Sequence, residues 1–200
     1  MIDLRRRRTI RSAGSAAVAL VLSSCTRNRE PFWATDITGV DWGHDFRLGD
    51  HNGSPRTLAD FRGKAVMLFF GYTQCPDMCP TTLAKMAQAV ERLGENGKRV
   101  QGLFVTLDPK RDTQDVLAQY VPAFHPSFIG LRGSEAEVAR TAKDFKVFFA
   151  LQHPDESGSY TVDHMVAIFA FDRQGRLRLY IKGESDADAI VHDLRLLLRQ

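Results

Sequence analysis

One stretch constrains the fold more than any other. The apolar run Val66–Phe70 empties into Gly71-Tyr72-Thr73-Gln74-Cys75-Pro76-Asp77-Met78-Cys79-Pro80, and Leu83, Met86, Ala87, Val90 and Leu93 follow at helical spacing. A strand, a cysteine-bearing turn and a helix start are thereby placed in series. Backbone N–H groups and the helix dipole at such a start favour thiolate over thiol. The pattern therefore predicts a reactive or metal-binding turn at the end of a buried strand.

The rest of the chain reads as alternating strands and helices. A second apolar strand spans Val100–Leu107 and leads to Asp108-Pro109-Lys110-Arg111-Asp112. Helix signals resume from Thr113 to about Tyr120, and Phe128–Leu131 reads as a short strand. Ser134 followed by Glu137 forms a capping box for a helix reaching about Phe145. His153–Ser159 is a polar loop and a candidate docking element. Val166–Phe171 and Leu177–Ile181 read as a strand pair around Asp172-Arg173-Gln174-Gly175, and Asp186–Leu198 as a terminal amphipathic helix. These elements predict one α/β domain whose mixed sheet is flanked by helices.

The N-terminus reads as targeting rather than fold. Arg5, Arg6, Arg7, Arg8 and Arg11 precede ten largely apolar residues, Ala13–Leu22, a stretch short of the roughly 20 needed to span a bilayer. Leu22-Ser23-Ser24-Cys25 resembles the lipobox of bacterial lipoproteins, which implies a signal peptide over 1–24, lipidation of Cys25, a lipidated tether over 25–43 and a domain over 44–200. The expected location is the periplasmic side of the bacterial cell membrane. Removing residues 1–24 turns the formal charge of +3 into 22 basic against 23 acidic residues, or −1, so nothing points to a nucleic-acid partner. Export into an oxidising compartment leaves Cys75 and Cys79 as the working thiols, and makes redox chemistry or metal binding their expected use.

The two cysteines are four apart. On a helical turn their Cβ atoms would lie about 5–6 Å apart, wider than the roughly 3.5–4.5 Å of a disulfide, so the spacing suits two thiolates on one ion. A third ligand is needed. His44, His51, His125, His153 and His192 read as solvated or locally bonded. His164, in Asp163-His164-Met165 at the entrance of an apolar strand, is the remaining candidate. Thiolates with imidazole select copper, or zinc given a fourth ligand.

The stretch Phe70–Pro80 resembles the signature of the Sco (SenC) family of copper-binding assembly proteins. Leu107-Asp108-Pro109-Lys110-Arg111-Asp112-Thr113 and Val162-Asp163-His164 resemble that family's second and third motifs, in order. The resemblance runs from about Asp45 to the C-terminus. It implies a thioredoxin-like fold with an N-terminal β extension, in which Cys75, Cys79 and His164 bind one copper, as Cu(I) or Cu(II). Asp163 would orient the site. The implied partner is cytochrome c oxidase subunit II, whose dinuclear copper site the family supplies with copper or prepares by reducing its cysteines. Two functions follow: a membrane-tethered copper chaperone, or a thiol–disulfide oxidoreductase built on the redox pair Cys75 and Cys79. A peroxidase is disfavoured, because the usual Thr-x-x-Cys and a distant resolving cysteine are absent.

Overall fold

The computed structural model describes residues 30–154 and 159–200. The expected signal segment, Cys25 and residues 155–158 of the polar loop lie outside the described residues. In chain order the elements are β1 (Thr35–Asp36), β2 (Leu48–Asp50), β3 (Pro55–Arg56), β4 (Ala65–Gly71), α1 (Met78–Arg92), β5 (Val100–Thr106), α2 (Gln114–Tyr120), β6 (Ile129–Arg132), α3 (Glu135–Asp144), β7 (Phe149–Leu151), β8 (Val162–His164), β9 (Ala167–Phe171), β10 (Leu177–Lys182) and α4 (Ala187–Leu198). Short 3₁₀ turns cover Leu58–Phe61 and Gly94–Arg99.

Eight strands form one mixed sheet in the order β1-β10-β9-β4-β5-β6-β2-β3. The strand before the cysteine turn, β4, lies inside it, parallel to β5 and antiparallel to β9. All seven of its residues are buried. Such a strand shows no polar alternation because both its faces are covered. Phe69 and Phe104 are register partners with ring centroids 6.0 Å apart. Phe70, one residue on and so on the other face, packs with Phe145 and Phe169. The Ser134–Glu137 capping box forms as expected.

Three features differ from the sequence expectation. First, α1 begins at Met78, five residues ahead of the helical spacing that starts at Leu83, so Cys79 and Pro80 lie in its first turn, where a proline's missing N–H costs nothing. Second, residues 30–43 are part of the domain. Strand β1 pairs with β10, the Asp193 carboxylate accepts the N–H groups of Trp33 and Ala34 at 2.8 and 2.9 Å, and Phe32, Ile37 and Trp42 pack on the core. Third, β7 and β8 form a separate antiparallel hairpin that pairs Phe149 with His164. His164 thus ends its own strand instead of leading into β9. Strands of three residues carry too little alternation to be legible.

Candidate metal centre

Strand β4 delivers the chain to Gly71, and the Leu107 N–H donates to the Gly71 carbonyl at 2.7 Å. The following loop is then pinned by Asp112. Its buried carboxylate accepts the Thr73 N–H at 3.0 Å, the Thr73 hydroxyl at 2.6 Å and the Thr106 hydroxyl at 2.6 Å. Burial pushes the Asp112 carboxyl above the usual range despite these donors. Asp112 thus ties the loop after β4 to the end of β5.

Cys75 precedes α1 and is half-buried; Cys79 is the second residue of α1 and fully buried. Asp77, the N-cap residue, gives no side-chain cap. The Cys75 sulfur takes that place, accepting the Cys79 N–H at 3.5 Å. Burial acts to raise the Cys75 thiol, but the N–H groups of Cys79, Asp77 and Met78, with the Cys79 thiol, outweigh it and hold Cys75 below the ordinary thiol value. Burial drives Cys79 strongly upward, and the Cys75 charge adds to this. The pair is thus asymmetric, with one accessible thiolate former and one buried thiol.

The β7–β8 hairpin brings His164 to this pair. Its Nε2 lies 3.4 Å from Cys79 Sγ, and the Cys75, Cys79 and His164 donor atoms all fall within 4.8 Å of one another. Nδ1 donates to the Met165 carbonyl at 3.0 Å, a bond that leaves the Nε2 lone pair facing the sulfurs. Desolvation lowers the His164 pKa and keeps the ring neutral, the form that ligates metal. Tyr72 meets the ring edge-on at 6.0 Å, and Phe69 lies 6.3 Å away. Cys75 and Cys79 are free thiols.

Asp163, expected to orient the site, is exposed and accepts a hydrogen bond from Gln152; the Met165 carbonyl orients the imidazole. Two contributors escaped the sequence reading. Gly71 is required by space: a Cβ there would lie 2.7 Å from Cys79 Sγ and 2.9 Å from Phe104 Cε2. Arg111 spans both halves of the centre, though only the Asp-Pro-Lys-Arg-Asp motif hinted at it. The other histidines are locally bonded where their contacts are defined: His51 accepts from the Gly130 N–H, His125 meets Ser127, and His192 meets Asp193 and Glu30.

The sheet order and the cysteine turn at the start of α1 define a thioredoxin-like protein, and the facing imidazole adds a compact soft-donor site. A model of the SCO1/SenC family matches residues 35–199, and the chain belongs to that family. The mitochondrial SCO2 homolog of Mus musculus is 40% identical over 153 residues, covering 76% of this chain and 60% of the mouse protein. The chain therefore spans about three fifths of that relative. Apo Sco1 from Thermus thermophilus has a TM-score of 0.76 at 40% identity, covering 86% of this chain and 99% of that structure. ScoI from Bradyrhizobium japonicum, solved with copper bound, has a TM-score of 0.69 at 34% identity, covering 76% and 96%.

Proposed function

We propose that the chain is a copper chaperone that binds one copper through Cys75, Cys79 and His164. The observation that carries this is the convergence of two sulfurs and one oriented imidazole nitrogen within 4.8 Å. Thiolate sulfur suits Cu(I), and the imidazole extends the site to Cu(II). Although Cys79 alone holds its proton, a bound cation deprotonates a coordinating thiol. The copper-bound relative at 34% identity supports the same cargo. The partner is cytochrome c oxidase subunit II, whose dinuclear copper site would accept the ion by ligand exchange. The half-buried Cys75 offers the place where an incoming ligand can attack.

The remaining parts of the reading concern location. Residues 1–24 act as an exported signal, Cys25 carries lipid, and the chain works on the periplasmic side of the membrane. The domain then starts within a few residues of the lipid, since contacts to it begin by Trp33. Detection of a lipid-modified Cys25 by mass spectrometry tests this, and an unmodified, uncleaved N-terminus sinks it.

A second reading is favoured by the thiol asymmetry. An accessible, low-pKa Cys75 beside a buried Cys79 is the arrangement of an attacking and a resolving thiol. Cys75 thiolate would attack a partner disulfide, and Cys79 would then close the Cys75–Cys79 disulfide and release the partner as a dithiol. The two readings separate on the purified protein. The expected result is one copper per chain with a sulfur-to-Cu(II) charge-transfer band that His164→Ala and Cys75→Ser abolish. No copper uptake, with disulfide reduction retained, would replace the chaperone by a reductase.

A further inference from the structure

The loop between β5 and α2 holds the two halves of the centre together through one side chain. Arg111 Nη1 donates to Gln74 Oε1 at 3.1 Å, next to Cys75, and to the Tyr160 carbonyl at 2.8 Å, four residues before His164. The guanidinium carbon stands 3.5 Å from the centroid of the Tyr160 ring and 5.8 Å from that of Tyr72, whose ring meets His164. Arg111 Nε pairs with Asp108, and the Tyr160 hydroxyl donates to the same carboxylate at 2.9 Å. The Asp108 side chain is 2% exposed and that of Arg111 18%.

Assembling this cluster carries a desolvation penalty. Buried charges give up their hydration, and Arg111 Nη2 is buried with no hydrogen-bond partner among the described residues. An apolar contact would tie the hairpin down more cheaply. What an arginine adds is direction: its plane stacks while its fork reaches a carbonyl and an amide at once. Tyr160 is held through its ring, its hydroxyl and its carbonyl, and the chain leaves it for buried Val162 and then His164.

We propose that Arg111 is the positioning residue of the centre, clasping Tyr160 so that β8 presents His164 to Cys75 and Cys79. The inference deepens the copper reading above and rests on it for its metal arm. Two thiolates hold Cu(I) without much help, whereas Cu(II) relies on the imidazole nitrogen. Loss of the clasp therefore weakens Cu(II) selectively.

The test compares wild type, Arg111→Ala, Arg111→Lys and Tyr160→Phe in the purified full-length protein. Amide hydrogen exchange of the metal-free protein is followed at Val162–Met165 and, as a control, at Met67–Phe70. Both Arg111 variants should speed exchange in the first segment and leave the second unchanged. Tyr160→Phe, which loses only the hydroxyl, should show a smaller effect of the same kind. In the metal arm, Cu(II) affinity should fall about 10–100-fold in both Arg111 variants, as for other groups that orient a ligand. Imidazole nitrogen coupling in the Cu(II) resonance spectrum should be lost, with Cu(I) affinity unchanged. Unaltered exchange at Val162–Met165 in Arg111→Ala, or a parallel rise in both segments, overturns the proposal. So does full recovery by lysine, which would reduce the clasp to charge alone. Failure of wild type to bind copper would instead refute the copper reading, and the exchange arm would still decide the role of Arg111.

Discussion

Gly71→Ala isolates how closely the sheet approaches the metal centre. The added Cβ would lie 2.7 Å from Cys79 Sγ, 2.9 Å from Phe104 Cε2 and 3.3 Å from Phe69 Cε1. Ordinary contact begins near 3.5 Å, so the sulfur must retreat by roughly 0.8 Å while the ring shifts by slightly less. Gly71 is not among the residues with positive φ, so the backbone accepts alanine and the whole cost is steric. Overpacking of this kind costs about 1–3 kcal/mol, or about 2–12 °C in Tm for a domain of this size. Ligand positions tolerate only about 0.2 Å of error, so metal affinity should fall along with stability. Thermal unfolding of the metal-free protein in a cycle with Cys79→Ala separates the two contacts. With the sulfur gone, the Gly71→Ala penalty should shrink by about 1 kcal/mol, the coupling typical of touching residues. An equal penalty in both backgrounds would refute the claim that Cys79 Sγ fills the space beside Gly71.

Two further outcomes follow from the charge state and anchoring of the cysteine turn. Alkylation of the reduced, metal-free protein should modify Cys75 with a pH midpoint below the ordinary 9.0 and reach Cys79 only on unfolding; a midpoint at or above that value refutes the role of the Cys79, Asp77 and Met78 N–H groups. Because Cys79 keeps its proton in the folded state, unfolding releases it once pH exceeds about 9.0, so Cys79 should lower stability as pH rises further, a dependence absent in Cys79→Ala. Asp112→Ala strands the Thr73 N–H and two hydroxyls, and should cost about 1–3 kcal/mol in denaturant unfolding. Stability equal to wild type would show that Asp112 does not anchor the turn.

The sequence by itself determined the parts of this protein that are local. The unbroken apolar run of β4 announced a strand covered on both faces, because such a strand has no solvent side to leave polar. Ser134 and Glu137 announced the start of α3, because a capping box is satisfied within four residues. The spacing of Cys75 and Cys79, and the strand before them, placed a dithiol at the start of a helix. His164 emerged by elimination among six histidines and by resemblance to a family motif, not from its spacing to the cysteines.

Only the tertiary structure decided how these groups meet. His164 lies 85 residues from Cys79, and it reaches the sulfurs on a hairpin whose three-residue strands leave no periodic trace. The asymmetry between the thiols arises from burial of Cys79 and from N–H groups aimed at Cys75, neither of which residue type reports. Residues 30–43 looked like a tether, yet the Asp193 carboxylate on α4 captures their backbone. Gly71 and Arg111 matter for space and reach across the fold. Such long-range contacts depend on which surfaces the sheet brings together, and no short window of sequence contains both partners.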